Sequence, residues 1–141
     1  MPPSDSTALR LAPAAVPAYR TAPHNIEAEQ SLLGAILVNN DAFYRVSDFL
    51  EPKHFFEPIH QLIFETSGSL IRAGKIATPV TLKTFVPADT DLGGITVAQY
   101  LARLAAEATT IINAQDYGRT VYDLSIRRDL IRLGEDMVNV A

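Results

Sequence analysis

The sequence predicts an all-α fold, a globular helical head followed by a helical hairpin. Three observations carry that reading. Apolar residues recur at helical spacing and almost nowhere alternate as a strand would. Helix-start signals recur along the chain, with Asn25 before Ile26, Pro52, Pro58, and the pair Thr78-Pro79. From Ala114 to Asn139 no proline interrupts the pattern, which leaves room for one long final helix.

The 141 residues fit one domain and allow a hydrophobic core that needs no staples. No cysteine is present, which removes disulfides and thiolate metal sites and is compatible with a reducing compartment. No apolar run approaches the ~18 residues of a membrane span. A net charge of −4 argues against wide nonspecific wrapping of nucleic acid, which depends on many cationic phosphate contacts.

Residues 1–22 carry Pro2, Pro3, Pro13 and Pro17 among small residues and read as a disordered, Pro/Ala-rich tail. The head spans 23–95 and the hairpin 96–141. A first helix is expected over Ile26–Val38, capped by Asn25, with Glu27 and Glu29 in the first turn facing the positive helix end. Ile26, Leu33 and Leu37 form its stripe, widened by Leu32 and Ile36. Gly34 costs helix stability unless a neighbouring helix approaches closely there. Asn39 and Asn40 end this helix and cap a short amphipathic element carrying Phe43, Val46, Phe49 and Leu50. Pro52 starts a brief helical turn. Pro58 starts a longer helix to about Arg72, with Ile59, Leu62, Ile63, Thr66 and Leu70 as its apolar face.

Gly74 breaks the chain. Thr78 and Pro79 start a short helix whose Leu82, Phe85 and Val86 are expected inside. Residues 87–94 read as a loop, and Val97–Ala106 as a helix with Tyr100, Leu101 and Leu104 inward. Asn113 is expected to cap the long helix. Tyr117, Val121, Leu124 and Ile131 lie near one side of it. Tyr122, Ile126, Leu130, Leu133, Met137 and Val140 follow at spacings of four, four, three, four and three and define a second stripe. Two stripes mean either deep burial within one domain or two separate contacts, with the preceding helix on one side and another subunit on the other; the second reading makes Tyr122, Ile126, Leu130, Leu133 and Met137 the candidate subunit interface.

No catalytic constellation emerges. Gly74-Lys75 is followed by Ile76 and lacks the upstream glycines of a phosphate loop. His24, His54 and His60, with Glu57 nearby, have no metal-ligand spacing, and His60 reads as a structural side chain beside the apolar face. Glu27 and Glu29, two apart, do not face each other; Glu27 is expected to bond across to another element and Glu29 to cap or face solvent. Thr109, Thr110 and Ser125 have no activating base. Arg119, Arg127, Arg128 and Arg132 alternate with Asp123, Asp129, Glu135 and Asp136 as a solvated face or interhelical pairs. No catalytic, cofactor or metal residue is therefore expected in these 141 residues.

The stretch PHNIEAEQSLLGAIL at Pro23–Leu37 resembles the opening of the amino-terminal domain of bacterial replicative DNA helicases. The matching residues are Pro23, Glu27, Ala28, Glu29, Gln30, Leu33 and Gly34. Phe55, His60, Ile63-Phe64, Leu70, Gly74, Thr81-Leu82, Gly93-Gly94, Tyr100-Leu101, Leu104, Asn113, Tyr117, Val121 and Arg128 continue the resemblance in order. Glu27, Gln30, Gly34, His60, Phe64, Thr81, Leu82, Asn113 and Tyr117 make up its structural motif. There are two departures. Thr78 occupies a position where the family often has aspartate, and residues 109–112 lack the family's proline-containing connection.

The resemblance implies a collar domain in a hexamer, arranged as a trimer of dimers. It would recruit the carboxy-terminal domain of primase and possess a helicase loader as a further partner. It also implies a RecA-like motor domain beyond residue 141 that binds ATP and Mg2+, hydrolyses ATP and moves on single-stranded DNA in the bacterial cytoplasm, with no membrane partner. Two other classes are weighed beside it. One is a stand-alone helical adaptor or helicase regulator. The other is a small nucleic-acid-binding protein, which the acidic balance ranks last.

Overall fold

The structure, a computed structural model, describes residues 22–108 and 113–140. Among them are six α-helices: α1 (Ile26–Val38), α2 (Asp41–Tyr44), α3 (Pro58–Arg72), α4 (Pro79–Leu82), α5 (Val97–Ala106) and α6 (Ala114–Val140). A 3₁₀ turn lies at Pro52–His54. The expected tail lies outside the described residues except for Ala22, and so does the connection at 109–112.

The first helix is the axis of the molecule. Its N-terminus is capped as the sequence predicts, with the Asn25 side chain accepting from the Ala28 N–H at 3.0 Å. The expected single stripe is too narrow, however. Every residue from Ala28 to Leu37 except the half-buried Ser31 is buried, because α3, α5 and α6 all pack on this one helix. A helix apolar nearly all round belongs in the middle of a fold. Gly34 is the close-approach point. A Cβ there would collide with the Leu104 carbonyl of α5, so glycine lets the two backbones meet.

The chain then turns on Asn40. Its side chain does not cap α2. The amide donates to the Ile36 and Ala77 carbonyls, both at 2.8 Å, and its oxygen accepts from the Ala77 N–H at 3.0 Å. Asn39 performs the capping instead, accepting from the Asp41 N–H at 3.0 Å.

The third helix buries Ile59, His60, Ile63, Phe64, Ser67, Gly68 and Ile71. Leu62, Thr66 and Leu70, expected inward, are half-buried. The inner face is rotated towards the small residues Ser67 and Gly68, where Phe43 of α2 seats itself. The helix ends at Gly74, whose φ of 78° is the left-handed conformation glycine favours. There the Lys75 N–H bonds the Leu70 carbonyl and the Gly74 N–H that of Ile71.

Thr78 and Thr81 cap α4 reciprocally, each hydroxyl accepting from the other's backbone N–H at 3.2 and 2.9 Å. This helix stops at Leu82, so Val86 turns in while Phe85 turns out and is 54% exposed, contrary to the inward placement expected for it. Thr96 and Gln99 form the same reciprocal cap on α5.

Both α5 and α6 lie on α1, and among the described residues neither packs along the other. The side of α6 that the sequence assigned to its predecessor is therefore covered by α1 and by the turn after α2. Gly118 of α6 sits so close to Val46 and Phe49 that a side chain would clash.

Candidate interaction surface and the clamp behind it

The long helix changes character along its length. Near its start Ala114, Gly118, Val121 and Ser125 are buried, and Tyr117 and Leu124 half-buried. Every residue from Asp129 to Asn139 is exposed. Leu130 is 62% exposed, Leu133 57% and Met137 68%, with Ile126 at the edge of the head and Ile131 and Val138 alongside. Apolar side chains at this spacing on an uncovered helix form a continuous apolar face, the candidate interaction surface. Tyr122, expected with them, is half-buried. Its ring meets Phe49 and His54 edge-on, at 6.0 and 4.9 Å between ring centres, so the head uses it. Val140 lies outside the described side chains.

Inside the core, a polar network ties α1, α3 and α5 together. Glu29 is 2% exposed. Its carboxylate accepts from the Phe56 N–H at 2.7 Å and from the more distant Glu57 N–H at 3.4 Å, at the start of α3 where unpaired N–H groups favour an anion. It also holds His60 Nδ1 at 2.7 Å, while His60 Nε2 meets the Tyr100 hydroxyl at 2.6 Å. Gln30 Nε2 donates to that hydroxyl at 3.1 Å. With Nδ1–H donating to Glu29, Nε2 accepts the Tyr100 O–H, and every partner is satisfied. Burial pushes the Tyr100 hydroxyl pKa well above its ordinary range.

This network reverses the expected roles of the two early glutamates. Glu27 is exposed, and Glu29 is the one that crosses to another element. The period of the helix brings Glu29 beneath Phe56 because almost its whole circumference is buried. His60 is a fully buried partner within the core. Phe64 lies against Phe43 and Phe55, with ring centres 5.5 and 5.0 Å away. Leu82 is buried, Thr81 caps α4, and Tyr117 packs at the core edge. Asn113 directly precedes α6.

The sequence marks Arg128 as a position of the resemblance and as part of a solvated or interhelically paired face, but does not show its role. Its guanidinium donates to the Pro23 carbonyl and the His54 carbonyl, both at 2.8 Å, and lies 5.4 Å over the Phe56 ring. His24 stacks on Phe56, 4.0 Å between ring centres and 6° from parallel. Burial pulls the Arg128 pKa below its ordinary range, against the upward influence of Glu29 and Asp129. The arginine planarity that suits two acceptors at once was the available signal. The alternating charges around it hid that signal; Asp129 and Arg132 form an exposed pair within α6 at 3.4 Å, as on a solvated face.

Among the described residues no group of three or more His, Asp or Glu side chains is placed to hold a metal ion, and no helix is long and apolar enough to cross a membrane. Fold and surface together define an all-α domain with an uncovered apolar helix face.

Residues 21–123 match the family model described as the DnaB-like helicase N terminal domain, and the chain belongs to that family. It is 47% identical over 126 residues to the replicative DNA helicase DnaB of Rickettsia felis, an alignment covering 89% of this chain and 26% of that protein. It is 38% identical over 119 residues to the replicative DNA helicase DnaC of Bacillus subtilis, covering 80% and 25%. The chain thus spans about a quarter of the length of these relatives. The crystal structure of the N-terminal domain of DnaB helicase from Mycobacterium tuberculosis superposes with a TM-score of 0.75 at 31% identity, covering 84% of this chain and 83% of that one. The corresponding Helicobacter pylori domain, described together with its interactions with primase, shares the fold with a TM-score of 0.65 at 22% identity, covering 79% and 87%.

Proposed function

We propose that this chain is the amino-terminal collar domain of a hexameric replicative DNA helicase, serving oligomerisation and primase docking. The exposed apolar stripe of α6 is the observation that carries the proposal. Ile126, Leu130, Leu133 and Met137 are the subunit-contacting residues, with Tyr122 anchoring the inner end of the stripe to the head. The described interaction of the Helicobacter pylori domain with primase supports a primase contact here. ATP hydrolysis, Mg2+ binding and movement on single-stranded DNA belong in this reading to a motor domain outside these residues. The collar's own role is geometric. It arranges motors around one strand and holds primase near the template at raised local concentration.

Leu133→Asp places a charge in the stripe at an exposed site, where the head loses no contact. Its mass in sedimentation equilibrium should shift towards monomer, with helical circular dichroism unchanged. A folded Leu133→Asp chain with wild-type mass at every concentration would remove α6 as the interface.

A further inference from the structure

We propose that Arg128 is a positioning residue, a latch that couples the incoming segment Ala22–His24 to the direction in which the exposed half of α6 leaves the head. The latch gives the assembly surface of the proposed function its orientation and rests on that reading for its consequence, though not for its geometry.

Arg128 is the last partly buried residue of α6 before a run, Asp129 to Asn139, in which every residue is exposed. Its two terminal nitrogens reach carbonyls from separate parts of the chain, Pro23 before α1 and His54 in the 3₁₀ turn. A planar fork with two acceptors fixes orientation as well as distance, which a single contact cannot do. The surroundings hold those acceptors in place. His24 stacks on Phe56, and its Nδ1 lies 2.7 Å from the Ala22 carbonyl, folding the incoming segment onto the ring beneath the guanidinium. The Phe56 N–H is in turn held by Glu29, and Glu29 by His60. The 3₁₀ turn is closed by the Glu51 N–H donating to His54 Nδ1 at 2.9 Å. The path from Pro23 to α6 is therefore continuous, side chain to backbone, and does not run through the apolar core. Displacing Pro23 removes one tine of the fork and leaves the core untouched.

The absence of native cysteine makes the test direct. Glu65→Cys on α3 and Asp136→Cys on α6 are both exposed sites for spin labels. The distance distribution between them is recorded by double electron–electron resonance, diluted with excess unlabelled chain so that only intramolecular pairs are read. With the latch intact the distribution is narrow. Arg128→Gln should broaden it about twofold or more, because α6 then samples several directions. Deleting residues 1–24, which removes Pro23 and His24, should broaden it as well, whereas deleting residues 1–21 should leave it narrow.

An unchanged width in Arg128→Gln, or in the 1–24 deletion, overturns the coupling. Broadening by the 1–21 deletion also overturns it, since the latch residues remain. If Arg128→Gln fails to fold, Arg128→Lys, which keeps the charge and loses the fork, and the 1–24 deletion decide in the same way. Failure of self-association leaves these widths unaffected, so the two readings fail separately.

Discussion

Glu29 is the side chain whose loss should be felt most widely. It is a buried carboxylate satisfied by α3 backbone and by His60, and removing it leaves those donors without a partner inside the protein. Glu29→Ala should cost about 2–3 kcal/mol, measured by urea unfolding, as leaving buried hydrogen-bond donors unpaired generally does. A change below about 1 kcal/mol would mean the network is not holding α1 to α3. His54 makes the fold sensitive to acid. Burial, the largest influence, lowers its pKa from 6.5; Glu51 and Asp129 oppose this, and Lys53 and Arg128 reinforce it. The folded protein then binds the proton less readily than the unfolded chain. This contribution is complete above 6.5 and is lost as pH falls from there through the folded value. His54→Gln should flatten stability against pH in that window, compared with the parent by thermal melts. Equal slopes in parent and variant would contradict the assignment. At this scale the sequence was only partly legible. The motif positions Gln30, His60 and Phe64 were visible. The partner of Glu29 and the acceptors of Arg128 were not, because they are backbone groups 27, 74 and 105 residues away that no local pattern announces.

Elements were far more legible, and the reason is local. Caps are read from four residues, and Asn25, Thr78-Pro79 and Pro58 each start a helix where the sequence places one. The positive-φ stop at Gly74 is equally local. What sequence could not assign was which helix neighbours which. The side of α6 expected for α5 went to α1, because a helix buried on nearly every face must have neighbours on all sides. Gly34 marks the closest of those contacts, at the Leu104 carbonyl. Gly34→Ala gains helix propensity but forces two backbones apart. The net loss should be about 1–3 kcal/mol in urea unfolding, the usual range for overpacking. A more stable variant would show that α1 and α5 do not meet there.

At the scale of the molecule, the core is centred on α1 and the distal half of α6 lies outside it. Val38, Tyr44, Ile76, Val80 and Phe85 are exposed singly at the surface of the head, whereas the distal half of α6 carries Leu130, Leu133 and Met137 into solvent as one stripe. In the proposed reading, this face of a chain in the DnaB-like helicase N terminal domain family is where other chains dock. The sequence showed this stripe through its heptad-like spacing. Spacing alone did not tell internal burial from an open face; the end of the head at Arg128 does. Native mass of this 141-residue chain across a dilution series at moderate salt tests the central claim most directly. Dimers or hexamers that dissociate on dilution are the predicted result. A monomer at every concentration would contradict self-assembly through this domain.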